Sequence, residues 1–164
     1  MECSRTPPKA DSQNTRLDNI SQRIEAMLRR IVERLCRWKV VRRRLPNRCG
    51  SRQMFISPDS ALQYLKPNLE SSNAELFDVA FNHVLPGDCV WDIGANVGMF
   101  TFPAANAAGA EGQVLAIEAD PFLASLLQRS AHLKSNADLR IHVLCAAASH
   151  GIGIERLLIA ERGR

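Results

Sequence analysis

The residues best suited to chemistry lie in one short stretch, Asp92-Ile93-Gly94-Ala95-Asn96-Val97-Gly98, with Glu118 twenty residues beyond Gly98. Glycines at 94 and 98 let the backbone approach a ligand that any side chain would push away. An acid at the end of the next strand can accept hydrogen bonds from both hydroxyls of a ribose. Together these features point to an adenosine-type cofactor. The dinucleotide fingerprint G-x-G-x-x-G would put its second glycine at 96, where backbone must touch a pyrophosphate. Asn96 stands there instead. Asp92, two residues before the first glycine, also repels phosphate through like charge. S-adenosylmethionine has no phosphate and carries an ammonium and a sulfonium, so an acidic turn suits it and disfavours NAD. Each acid also has a plain structural explanation: Asp92 as a cap of the turn or helix, Glu118 as a strand end facing water. Both acids at this spacing, followed by Pro121, favour the cofactor.

Such a turn needs a strand before it and a helix after it. Residues 89–93 predict the strand. Residues 97–108 predict the helix, kinked or broken into short pieces by Pro103. Further apolar strands are expected at 114–118, 139–145 and 152–160, with a helix opening at Pro121, a residue that fits a first helical turn. Continuous apolar strands alternating with helices imply a parallel sheet in an α/β layout. Before it, residues 74–84 give a helical face stopped by Pro86-Gly87, and a short helix is expected within 60–65. The uncharged run 93–110 contains three glycines, two asparagines and a proline, which suit a ligand loop and not a membrane span.

The 164 residues fit one compact domain and exclude two full-sized catalytic ones. The net charge of +4 hides a division. Residues 1–52 carry 14 Lys/Arg against 5 Asp/Glu, and residues 53–164 carry 7 against 12. A basic arm therefore precedes an acidic body. Within the arm, residues 1–16 read as a disordered start. Leu17, Ile24, Leu28, Ile31, Leu35 and Trp38 then form one apolar stripe of a basic amphipathic helix, with Arg42–Arg44 after it and Pro46, Asn47 and Gly50 ending it. Through residues 17–44 this arm could pack on the body, self-associate or contact a membrane surface. Nucleic acid ranks last, since no recognition motif accompanies the arginines. Five scattered cysteines without a CxxC indicate neither a zinc site nor a disulfide framework, and no metal is expected. Reduced thiols and the lack of an apolar leader predict a cytoplasmic protein.

Val90-Trp91-Asp92-Ile93-Gly94-Ala95-Asn96-Val97-Gly98, followed by residues 112–121 (GQVLAIEADP) and 145–151 (CAAASHG), resembles the FkbM-type S-adenosylmethionine-dependent methyltransferases. The likeness covers roughly residues 58–164. It implies a Rossmann-like methyltransferase fold and, as activity, O-methylation of a small-molecule or sugar hydroxyl, with a small molecule or glycan as acceptor. Carried over by position, Asp92, Gly94, Asn96 and Gly98 line the methionine part of the cofactor and Glu118 holds the ribose. Family members continue with further strands, so the sheet here is expected to be incomplete at the C-terminus.

The expected organisation is a disordered start plus basic helix over 1–52, a linker over 53–73 and a partial S-adenosylmethionine-binding domain over 74–164. No catalytic base can be nominated, because His132, His142 and His150 read as surface or packing residues. The alternative function is a catalytically inactive cofactor-binding remnant that acts as an interaction module through its basic helix.

Overall fold

The computed structural model describes residues 39–58 and 62–158, together with Met27. The helix expected over 17–38 therefore lies outside the described residues, Met27 apart. The heart of the fold is a parallel three-stranded sheet in the order β3 (Cys89–Ile93), β4 (Gln113–Glu118), β5 (Ile141–Cys145). Asp92 lies level with Ala116 and Val143, and Trp91 with Leu115 and His142. Two helices make the crossovers, α3 (Thr101–Ala108) between β3 and β4 and α4 (Pro121–Ala131) between β4 and β5. This is the α/β, Rossmann-like architecture expected from the alternation of apolar strands and helices.

Side chains alternate across a strand, and the two faces of the sheet differ sharply. Val114 and Ala116 are fully buried, Ala116 in a core with Phe102, Leu126 and Leu127 and Val114 in a second cluster with Ala80, Ala104 and Ala105. On the opposite face Trp91 is 65% exposed and Ile93 59%. Ile152 and Ile154 are wholly exposed, and residues 152–158 form no strand, contrary to the fourth strand expected from 152 onward. Gly151 and Gly153 alternate with the isoleucines, and glycine gives a strand nothing to pack.

Two helix starts show how local sequence sets the elements. Asp120 caps α4 by accepting the Phe122 N–H at 2.9 Å, with Pro121 in the first turn. Helix α3 begins at Thr101 and not at 97, because residues 94–100 are a turn. Pro103 thereby falls in the first helical turn, where an N–H has no intrahelical acceptor to lose, and the expected kink is not required.

Residues 41–73 pack on this core. β1 (Val41–Arg44) and β2 (Gln53–Ile56) form an antiparallel hairpin in place of the helix end and linker expected there. Met54 and Ile56 are fully buried in the core while Gln53 and Phe55 are half-buried, Phe55 under the Arg129 guanidinium at 4.6 Å. The hairpin lies against α4, and polar side chains satisfy its edge. Ser130 Oγ accepts the Phe55 N–H at 2.8 Å, and buried Asn136 donates to the carbonyls of Gln53 and Ser130, both at 2.7 Å. Arg52 pairs with the Asp138 carboxylate, which its hydrogen bonds hold below the usual range, and donates to Ser135 O at 2.7 Å. Arg48 ion-pairs with Glu70 at 2.7 Å and stacks on the Phe81 ring at 4.6 Å. Several arginines of the basic arm thus have internal structural partners. After a turn at Leu62–Leu65, a single helical turn α1 (Leu69–Ser72) leads into α2 (Ala74–His83), which buries Phe77 and Ala80.

Candidate functional site

The site is built where β3 ends. The N–H groups of Gly94 and Ala95 both donate to Ile117 O, at 2.8 and 3.0 Å, pinning the turn to β4. Gly94 has φ +83°, and a Cβ there would meet nothing within 4 Å. Asn96 also adopts a left-handed conformation, φ +52°, and its Oδ1 accepts the Val97 N–H at 2.8 Å. Asparagine tolerates this region because its short side chain bonds locally. Gly98 (φ +95°) serves a different end. A Cβ there would stand 2.5 Å from Leu127 Cδ1 and 2.7 Å from Phe102 Cε2, so its bare backbone lets the turn close on α4 and α3.

A cavity of about 430 Å³ opens against this turn. Asp92, Gly94 and Asn96 stand in its wall, together with Tyr64, Leu76 and Phe100. Gly98 does not line it, and neither does Glu118. Among the described residues, Asp92 is the only charged one of the wall. Its carboxyl is buried, which pushes its pKa up from the ordinary 3.8, against the lowering effect of a hydrogen bond from Thr101 Oγ1. The nearby Glu118 charge raises it further.

Glu118 reaches the turn from β4. Its Oε2 accepts the Asn96 N–H at 2.7 Å and its Oε1 the Asp120 N–H at 2.8 Å. An ionised carboxylate offers about four lone-pair sites, so two backbone bonds fix its orientation and leave about two acceptors for a ligand. A cation in the cavity would gain from the Asp92 charge, which would repel a phosphate.

Tyr64 and Thr101 were not singled out from the sequence. Tyr64 lies in the stretch read as a linker, and only the fold brings it over the turn, where it is 6% exposed. Thr101 gave one faint signal, a hydroxyl in the first turn of the helix that follows the glycine loop. His83, His132, His142 and His150 are all exposed and none lines the cavity. Among the described residues there is no group of three or more His, Cys, Asp or Glu placed to hold a metal, and no helix long and apolar enough to cross a membrane.

No family model matches the chain, and no curated protein matches it. Among solved structures it is similar to P. horikoshii TYW2, crystallised in complex with MeSAdo, with 21% sequence identity and a TM-score of 0.43. The match covers 63% of this chain and 34% of that one, so the chain spans about a third of the neighbour's length. The α/β architecture itself stands on this chain's own strand order, register and crossover helices.

Proposed function

We propose that the chain binds S-adenosylmethionine and belongs to a methyltransferase of the FkbM type, cytoplasmic, acting on a hydroxyl of a small molecule or glycan. The observation that carries this reading is a cavity whose one charged wall residue, among the described residues, is a buried acid, beside a carboxylate already oriented with acceptors to spare. Its volume of about 430 Å³ falls in the range of small-molecule sites. Glu118 would accept the ribose hydroxyls, and Asp92 would face the cationic methionine end. Gly94 would leave room for the ligand where any other residue would place a Cβ. S-adenosylmethionine supplies a methyl on a cationic sulfur, open to in-line attack by a hydroxyl oxygen held in place. The chain's own part is positioning and charge complementarity.

A second reading, a cofactor-binding interaction module without transfer, is favoured by the open sheet face at Trp91 and Ile93. Calorimetric titration of S-adenosylhomocysteine into the purified chain, with thermal unfolding alongside, tests the cofactor assignment. Micromolar binding with a raised melting temperature is expected. A cooperative melt with no binding would end the cofactor reading. Transfer of labelled methyl to a hydroxyl acceptor then separates the enzyme from the module.

A further inference from the structure

Resting on the cofactor reading above, we infer that Thr101 is a positioning residue of the site: its buried hydroxyl holds the Asp92 carboxylate charged and in place, so that the cavity meets the cationic end of the ligand with an anion. Thr101 is wholly buried and does not itself line the cavity. It stands in the first turn of α3, where a threonine hydroxyl ordinarily bonds a carbonyl three or four residues back. Here its one proton reaches across to β3 and Asp92 Oδ2, nine positions away. The Phe102 N–H donates to Gly98 O at 3.2 Å, so the glycine turn sets where this helical turn, and with it the hydroxyl, stands.

A buried carboxylate keeps its charge only where some group favours the charged form. Burial is the largest influence on Asp92 and raises its pKa, and the Glu118 charge from β4 raises it further. The hydroxyl of Thr101 and, more weakly, its N–H act the other way. Among the described residues no Lys, Arg or His acts on Asp92. The remaining neighbours are uncharged. Burial and then Glu118 push the Tyr64 phenol above its ordinary 10.0, so it stays neutral. Helix α2 brings Leu76 and Val79 to the cavity, and Val143 of β5 lies level with Asp92 beyond Ala116. Thr101 is thus the residue that keeps Asp92 an anion. An ionised carboxylate offers about four lone-pair sites, so one hydroxyl bond leaves acceptors for the ammonium of the ligand.

The test is the affinity of the full chain for S-adenosylhomocysteine, followed from neutral pH into acid. Thr101→Val, close in shape but without the hydroxyl, should bind roughly 3- to 10-fold more weakly at pH 7, the worth of one hydrogen bond. It should also lose affinity in acid at a higher pH than wild type, because Asp92 takes up its proton sooner. Thr101→Ser, which restores the donor, should return both properties to wild type. Glu118 titrates in acid too, and the Asp92→Asn background separates it, since Thr101→Val should change affinity no further there. A role confined to packing would lower the melting temperature of Thr101→Val and leave its acid limb where the wild type has it. That outcome, or an equal loss in the Asp92→Asn background, would overturn the inference. A second measurement needs no variant and survives any folding defect of one. In the wild type the Thr101 hydroxyl proton should give a slowly exchanging resonance whose shift follows the titration of Asp92. A proton that exchanges freely, or whose shift ignores pH, would also overturn it. Wild-type chain that melts cooperatively and binds nothing would instead overturn the cofactor reading, and this inference with it.

Discussion

Gly94 and Gly98 lie four positions apart, yet the two glycines belong to different regions of the molecule. Gly94 opens on the cavity, with nothing near the place of its absent Cβ, whereas Gly98 faces the core and leaves space that Leu127 and Phe102 fill. The same division runs through the polar residues. Asp92 is a buried acid held in a site wall at a cost to the fold, while Asn136 is buried with its hydrogen bonds made to Gln53 and Ser130. The difference teaches how to separate a wall from a scaffold. Scaffold groups have found their partners within the chain, and wall groups keep space, charge or lone pairs in reserve.

Parallel substitutions should break this comparison if it is mistaken. The largest effect is expected at Gly98. Gly98→Ala puts a methyl 2.5 Å from Leu127 Cδ1 at a positive φ, and should lower unfolding stability by about 3 kcal/mol or more in urea titrations. Gly94→Ala meets only the φ strain, so its loss should stay near 1 kcal/mol. Equal losses at both glycines would erase the distinction.

Next comes Glu118→Ala, which should weaken S-adenosylhomocysteine binding by on the order of 1–3 kcal/mol through lost hydrogen bonds to a charged acceptor. Calorimetry on the variant checks this, and unchanged affinity would remove the ribose assignment.

The smallest effect, and the one of opposite sign, belongs to Asp92. Because burial raises its pKa in the folded chain above the unfolded 3.8, the folded state holds the proton more tightly. Its charge therefore destabilises the fold at neutral pH, and the penalty fades as pH falls through the folded pKa toward 3.8. Asp92→Asn should raise the melting temperature at pH 7 by on the order of 2–4 °C, with the gain shrinking in acid, while weakening the ligand. A variant that melts lower than wild type at pH 7 would show that the Thr101 bond outweighs the burial.

Much of the sheet was legible because its determinants are local. The apolar runs at 89–93 and 114–118, the Gly-rich turn and the Asp120-Pro121 helix start each announce themselves within a few residues, through period, glycine and capping chemistry. The hairpin was not legible. β2 has only four residues, two buried and two half-buried, and what holds it there are Ser130, Asn136 and Asp138, more than 70 positions away. Likewise Arg42, Arg43 and Arg44 read as the trailing charges of a helix. The fold instead makes Arg43 a clamp on the carbonyls of residues 65–67, a contact across more than 20 positions.

By itself the sequence determined the class of the fold and the place of the acidic turn, since strand period, glycine spacing and like-charge repulsion act between near neighbours. Only the tertiary structure decided which glycine faces the cavity and which the core. It also decided that Tyr64 walls the site and that both Glu118 oxygens are held by backbone N–H groups. Those outcomes depend on the direction of a Cβ and on contacts between distant segments, and both are set only when helices α3 and α4 close on the sheet.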